Sequence, residues 1–145
     1  MAHASNSVTI ARPIEEVFDF LADGSNNTRW RPSVIEISRS GGPDGVGATY
    51  KQGMKGPGGR RIDGDYRVTT FERPRELAFQ VIAGPARPSG RYQLDAPTAG
   101  QTTVQFDLDL QLRGLQKLMG PMIQRTMDSE VKLLERLKAV LETSG

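Results

Sequence analysis

The chain of 145 residues contains no cysteine. Disulfides and thiolate metal sites are therefore excluded. It contains one histidine, His3, at a position where chain termini commonly fray. A Ser-His-Asp or Cys-His relay has no imidazole to work with, and a cluster of imidazole metal ligands cannot be assembled. No apolar run reaches 18 residues, so no membrane-spanning helix is expected. The opening MAHASNSVTI lacks the charged and then apolar segments of a signal peptide, which points to a soluble cytoplasmic protein. Charge of one sign is missing as well. The 19 cationic residues, mostly arginine, interleave with 17 acidic ones for a formal net charge of +2. No nucleic-acid-binding arm or membrane-surface patch is visible in that pattern.

What is present reads as one domain over residues 1–145. Ser7 to Ala11 is β-rich. RPIEEVFDFLADG follows, with Pro13 suited to the first helical position and Glu15 and Glu16 in the first turn. Ile14, Val17, Phe18 and Leu21 recur at i, i+3, i+4 and i+7, one apolar helix face. Gly24 is expected to end that helix. SNNT is a loop or a second short helix, read as a flexible hinge, and it leads to Trp30, the only tryptophan.

From Val34 to Leu112 the pattern predicts an antiparallel meander. Its strands are VIEISR, ATYKQGM, RIDGDYRVTTF with a bulge or bend at Gly64, ELAFQVIA, GRYQLD and TTVQFDLDLQL. In the last, Val104, Phe106, Leu108 and Leu110 alternate with Gln105, Asp107, Asp109 and Gln111, so one face of the sheet is wet. KGPGGR and DAPTAG are turns. Gly114 to Glu142 is helical, interrupted at Gly120-Pro121. Its apolar stripe runs from Leu115 through Met119, Met122, Ile123, Met127, Val131, Leu134 and Leu137 to Leu141, and Thr126 and Glu130 break it. From Pro121 onward the helix would be about 33 Å long, enough to cross a small sheet. The predicted fold class is α+β: a strongly bent antiparallel sheet of about six to seven strands wrapped around a long C-terminal helix, with a short helical segment after the first strand. Such a sheet leaves a cleft against its helix.

The chain resembles the START-like helix-grip superfamily, in particular its bacterial polyketide-cyclase/dehydrase-like branch. The matching stretches are Ile10 to Asp23, the Trp-x-Pro of Trp30 and Pro32, VGATY (Val46 to Tyr50), GRYQL (Gly90 to Leu94) and LLERLKAVLE (Leu133 to Glu142). The resemblance implies an internal, mostly apolar cavity and does not imply one reaction.

Trp30 is placed by the resemblance at the cavity mouth; the alternative is a ring plugging the gap between helix and sheet. Tyr50, Tyr66 and Tyr92 have inward parity and would offer hydroxyls as polar handles or general acids. The alternative is core tyrosine with the hydroxyl at the rim. Gln52 shares the face of Tyr50 and needs partners if buried. With Phe79, Phe106, Met119, Met122 and Thr126 these residues make the expected ligand-binding wall. Glu130 is expected to lie at the stripe's edge, paired with an arginine at little energetic gain. Arg87 and Arg91 flank a Gly/Pro loop, where they either grip an acidic ligand group or are simply solvated. Asp63 and Asp65 belong to an outer charged ladder rather than to a catalytic dyad.

Three functions fit the sequence. One is binding of a hydrophobic or aromatic small molecule by a cyclase- or dehydratase-like enzyme, without a metal or redox cofactor. The second is a carrier or sensor with no chemistry. The third is a protein-interaction module, which predicts a filled core. No nucleic-acid partner is expected, and a homodimer is one way to cover an exposed edge strand.

Overall fold

The computed structural model describes residues 2–143. Its elements run β1 (Ala2–Ile10), α1 (Ile14–Ala22), α2 (Asn27–Trp30), β2 (Val34–Gly41), β3 (Thr49–Lys55), β4 (Arg61–Asp63), β5 (Tyr66–Glu72), β6 (Glu76–Val81), β7 (Ser89–Thr98), β8 (Gln101–Leu110), α3 (Gly120–Lys132) and α4 (Leu134–Thr143). Short 3-10 turns occupy Gly24–Asn26, Pro57–Gly59 and Gly114–Met119. The strands form one antiparallel sheet in the order β1-β8-β7-β6-β5-β3-β2, with β4 pairing β3. This is the helix-grip arrangement the sequence led us to expect.

The alternation in β8 is obeyed without exception. Val104, Phe106, Leu108 and Leu110 are buried, and the residues between them reach solvent. The predicted third strand is two strands, β4 and β5, separated at Gly64 and Asp65. There Gly64 N donates to Gln52 O and the Asp65 carboxylate accepts from Gln52 N. The first strand is longer than its apolar pattern suggested, and it includes His3. Facing Asp109 across the β1–β8 ladder, the His3 ring nitrogen lies 2.7 Å from the Asp109 carboxylate. The expectation of a frayed His3 is therefore corrected: nine paired residues hold the strand.

All four apolar residues of α1 are buried. Gly24 follows the Asp23 cap and so ends α1 as expected, without a left-handed backbone, and it starts the next turn. Its need for glycine is spatial. A Cβ there would meet the Tyr66 hydroxyl and come within 2.7 Å of the Tyr50 ring. SNNT runs from that turn into α2, held by local bonds. The Asp23 carboxylate accepts from Ser25 N and Ser25 Oγ, and Asn26 Nδ2 donates to Phe20 O.

The C-terminal helix restarts at Gly120, with Pro121 in its first turn as expected, and breaks a second time at Leu133. Burial continues across that break through Met127, Val131, Leu134, Leu137 and Leu141. The helix lies along β1 in the same direction. Gln124 Nε2 donates to His3 O, Asn6 Nδ2 to Val131 O, and Lys138 Nζ to Thr9 O. Upstream of Ile123, which still packs against the core, the apolar side chains stand away from it: Leu115, Leu118, Met119 and Met122 are exposed.

Candidate functional site

The concave face carries one aromatic ring from each of five neighbouring strands: Tyr50 (β3), Tyr66 (β5), Phe79 (β6), Tyr92 (β7) and Phe106 (β8). Period-two alternation puts all five on the same face. They form a continuous ladder. Tyr50 and Tyr66 stack with centroids 5.0 Å apart, Tyr66 and Phe79 meet at 5.3 Å, Phe79 and Tyr92 at 6.2 Å, and Tyr92 and Phe106 stack at 4.4 Å. Trp30 closes on Tyr92 edge-on at 6.4 Å. Gly90 faces Phe79 across the β6–β7 ladder, and a Cβ there would collide with the Phe79 ring.

Polar groups enter this aromatic interior from α2. Asn27 and Arg31, four residues apart, are both buried. Asn27 Nδ2 lies 3.2 Å from Gln52 Oε1 and 3.3 Å from the Tyr66 hydroxyl, donating to both. Gln52 Nε2 in turn donates to Gly64 O. The Tyr50 hydroxyl accepts from Gly24 N. Arg31 donates through Nη2 to Glu130 Oε2 of α3 at 3.1 Å, and its guanidinium lies over the Trp30 ring. The side chains of this pair are only 7% and 15% exposed, so bulk water screens them little.

Burial alone would lower the Arg31 pKa. The Glu130 carboxylate and the Tyr92 and Tyr66 phenols together more than offset it, and the guanidinium is held charged, above its ordinary value. Desolvation pushes the Tyr92 phenol up to about 12 and raises that of Tyr66 as well. Both hydroxyls therefore stay protonated at neutral pH, where they are neutral hydrogen-bond donors and not bases.

Between these groups lies a void of about 20 Å³, lined by Asn27, Arg31, Tyr50, Tyr66, Phe79 and Tyr92 together with Leu21, Ala22, Val68 and Leu77. It has room for about one water molecule. A groove of about 810 Å³ opens elsewhere, across the paired strand positions Gln80, Ser89 and Asp109, and shares no lining residue with the interior. Arg87 lines that groove and donates to Gly84 O. Arg91 is paired with Glu76, and Asp63 with Arg61.

Of the residues singled out from sequence, Trp30, Tyr50, Gln52, Tyr66, Phe79, Tyr92 and Phe106 come together in the interior. Trp30 is wholly buried and so does not sit at a mouth. Met119, Met122 and Thr126 are on the surface, and the Thr126 hydroxyl donates to Met122 O within its own helix. They do not face the aromatic ladder in this structure, because α3 meets the sheet through Met127 and Val131 instead. Glu130 pairs with an arginine as expected, but at a buried site. Asn27 and Arg31 were missed. The signal for Arg31 was its place as the middle residue of Trp-x-Pro, and the signal for Glu130 was the break it makes in the apolar stripe. Among the described residues no cluster of His, Asp and Glu could hold a metal ion, and no helix is long and apolar enough to cross a membrane.

No curated protein matches the sequence. Solved structures that match the fold include a protein from Thermus thermophilus (17% identity, TM-score 0.80, covering 99% of each chain). Another is a START superfamily protein from Mycobacterium smegmatis (17% identity, TM-score 0.74, 98% of this chain and 95% of that one). A third is the Zhui aromatase/cyclase of Streptomyces sp. R1128 (16% identity, TM-score 0.68, 99% and 98%). At these identities the likeness is one of fold. The family model described as polyketide cyclase / dehydrase and lipid transport matches residues 1–142, and with nearly its whole length inside that match the chain belongs to this family.

Proposed function

We propose that the chain binds a hydrophobic or aromatic small molecule between the concave face of its sheet and the C-terminal helix. The observation that carries this is the chemistry of the interior. A ladder of aromatic rings surrounds a buried polar cluster of Asn27, Arg31, Tyr66 and Tyr92, with the partly buried Glu130 at its edge, that packing alone does not require. Flat apolar walls with a few placed polar groups suit a ring system carrying oxygen substituents. The void of about 20 Å³ is far below the roughly 300–1,000 Å³ of a ligand site, so binding involves an opening of the interior. The stretch from Leu115 to Met122, whose large apolar side chains already stand in solvent, is the part that can move at least cost.

Any chemistry would work through orientation, with neutral tyrosine hydroxyls polarising a carbonyl. A carrier uses the same site without turnover. A protein-interaction module is the second reading, favoured by the filled interior and by exposed Leu115, Leu118, Met119 and Met122.

The test is native mass spectrometry of the purified chain, with titration by one- to three-ring aromatic ketones and acids followed through Trp30 emission. Saturable binding with an emission shift is expected. No bound species and no shift across the series would refute the proposal and leave the interaction module. Turnover that disappears with Tyr66→Phe and Tyr92→Phe would separate an enzyme from a carrier.

A further inference from the structure

The buried groups around Arg31 are short of acceptors. The three buried side-chain atoms that find no partner among the described residues are Trp30 Nε1, Arg31 Nε and Ser33 Oγ, all within four residues of chain. Two of them are donors only, and Ser33 Oγ can donate. The Tyr92 hydroxyl, beside the same void, makes no hydrogen bond to the described residues either, and it stays protonated. Against these donors stands one charged acceptor, the Glu130 carboxylate, which uses a single oxygen on a single guanidinium nitrogen. A guanidinium has a fork of donors suited to two oxygens at once, and here that fork is half used.

Nothing in the packing calls for the charge. Apolar side chains of similar volume stabilise such a position as well or better. The two partners also differ in their freedom to leave. The Glu130 side chain already reaches solvent at 15% exposure. Arg31 is held at 7% between Trp30 and the void.

We propose that Arg31 is the receptor for a delocalised oxyanion on the ligand, two oxygens sharing one negative charge as in a carboxylate. Glu130 holds the place of that oxyanion while the site is empty. The proposal rests on the small-molecule reading above and adds the head group to it. On binding, the ligand's oxygens take the guanidinium fork, the Tyr92 hydroxyl supplies a further donor, and the Glu130 carboxylate turns out to water. Exchange of one carboxylate for another leaves the buried charge balance unchanged, so an anionic head group enters without an uncompensated charge. A neutral ligand of the same shape must either displace Glu130 and leave Arg31 unpaired, or fit beside the intact pair.

The experiment is calorimetric titration of the full chain with matched acid and amide pairs: 2-naphthoate with 2-naphthamide, and anthracene-2-carboxylate with its carboxamide. The expected acid-over-amide preference is about tenfold or more, the usual advantage of a charge-assisted contact. Glu130→Gln removes the resident competitor and should widen the preference. The double variant Arg31→Met/Glu130→Met, which leaves no buried charge unpaired and whose fold is checked by its melting curve, should bring the ratio to about one. Equal binding of acid and amide by the native chain, or an acid preference that survives in the double variant, would overturn the oxyanion receptor and leave small-molecule binding intact. Failure of every acid and amide to bind would overturn both.

Discussion

Breaking the Arg31–Glu130 pair is the sharpest test of how the interior is built. In Arg31→Met the Glu130 carboxylate, only 15% exposed, loses its partner while remaining on a helix fastened to β1 by the bonds from Asn6 and Gln124. Removing one member of a buried pair costs about 3–5 kcal/mol, because the remaining charge is uncompensated. Partial access of Glu130 to water places the expected loss near the lower end, about 3 kcal/mol, or a fall in melting temperature of roughly 10 °C for a domain of this size. Glu130→Met leaves the more deeply buried guanidinium alone and should cost at least as much. The double variant restores charge balance with two apolar side chains. It should lie within about 1 kcal/mol of the native chain, giving a coupling of at least about 5 kcal/mol between the sites. Urea denaturation of the four proteins at pH 7, repeated at high salt, measures this cycle. A surface pair would show coupling below about 1 kcal/mol that fades with salt. Additive single changes, or a coupling that fades with salt, would refute the claim that this pair is shielded from solvent.

Three further outcomes follow from the geometry. Gly24→Ala should cost about 1–3 kcal/mol in urea denaturation, through the clash of its Cβ with Tyr66 and Tyr50, and Tyr66→Phe in the same chain should recover part of the loss. Phe106→Ala, at a fully buried rung of the ladder, should cost about 3–5 kcal/mol, whereas Leu118→Ser, at 81% exposure, should stay within about 0.5 kcal/mol. Tyr92 ionises at about 12 in the folded chain against 10.0 for the free phenol. Its folded value is the raised one, so the stability it lends is present in full below pH 10 and is lost as pH rises towards 12. Absorbance titration and alkaline denaturation of Tyr92→Phe check this, since the variant should lack one of the two late phenolate transitions, that of Tyr66 remaining, and part of the alkaline loss.

Local periodicity was enough to read much of this protein. Alternation fixed which side of β8 is inward, i, i+3, i+4, i+7 spacing fixed the buried face of α1, and proline chemistry fixed the restart of the helix at Gly120–Pro121. Inward parity by itself also gathers Tyr50, Gln52, Tyr66, Phe79, Tyr92 and Phe106 on one face, because a side chain's face in a strand depends only on its position modulo two. These are properties of the chain against itself.

What the tertiary structure alone decided are the pairings between residues distant in sequence. His3 reads as a terminal residue until β1 is laid against β8 and it meets Asp109. Met119, Met122 and Thr126 share a stripe with buried Met127, but only the angle of α3 to β1 decides where that stripe touches the sheet. Gly24 looks like a helix stop, and its tight fit against two tyrosine rings appears once β3 and β5 pass beneath it. Arg31 and Glu130, 99 residues apart, carry no pattern that joins them. One follows a tryptophan and the other interrupts a helix face. Folding brings them together in a region poor in water, where a charge must find its opposite, and that physical necessity gives the interior its polar centre.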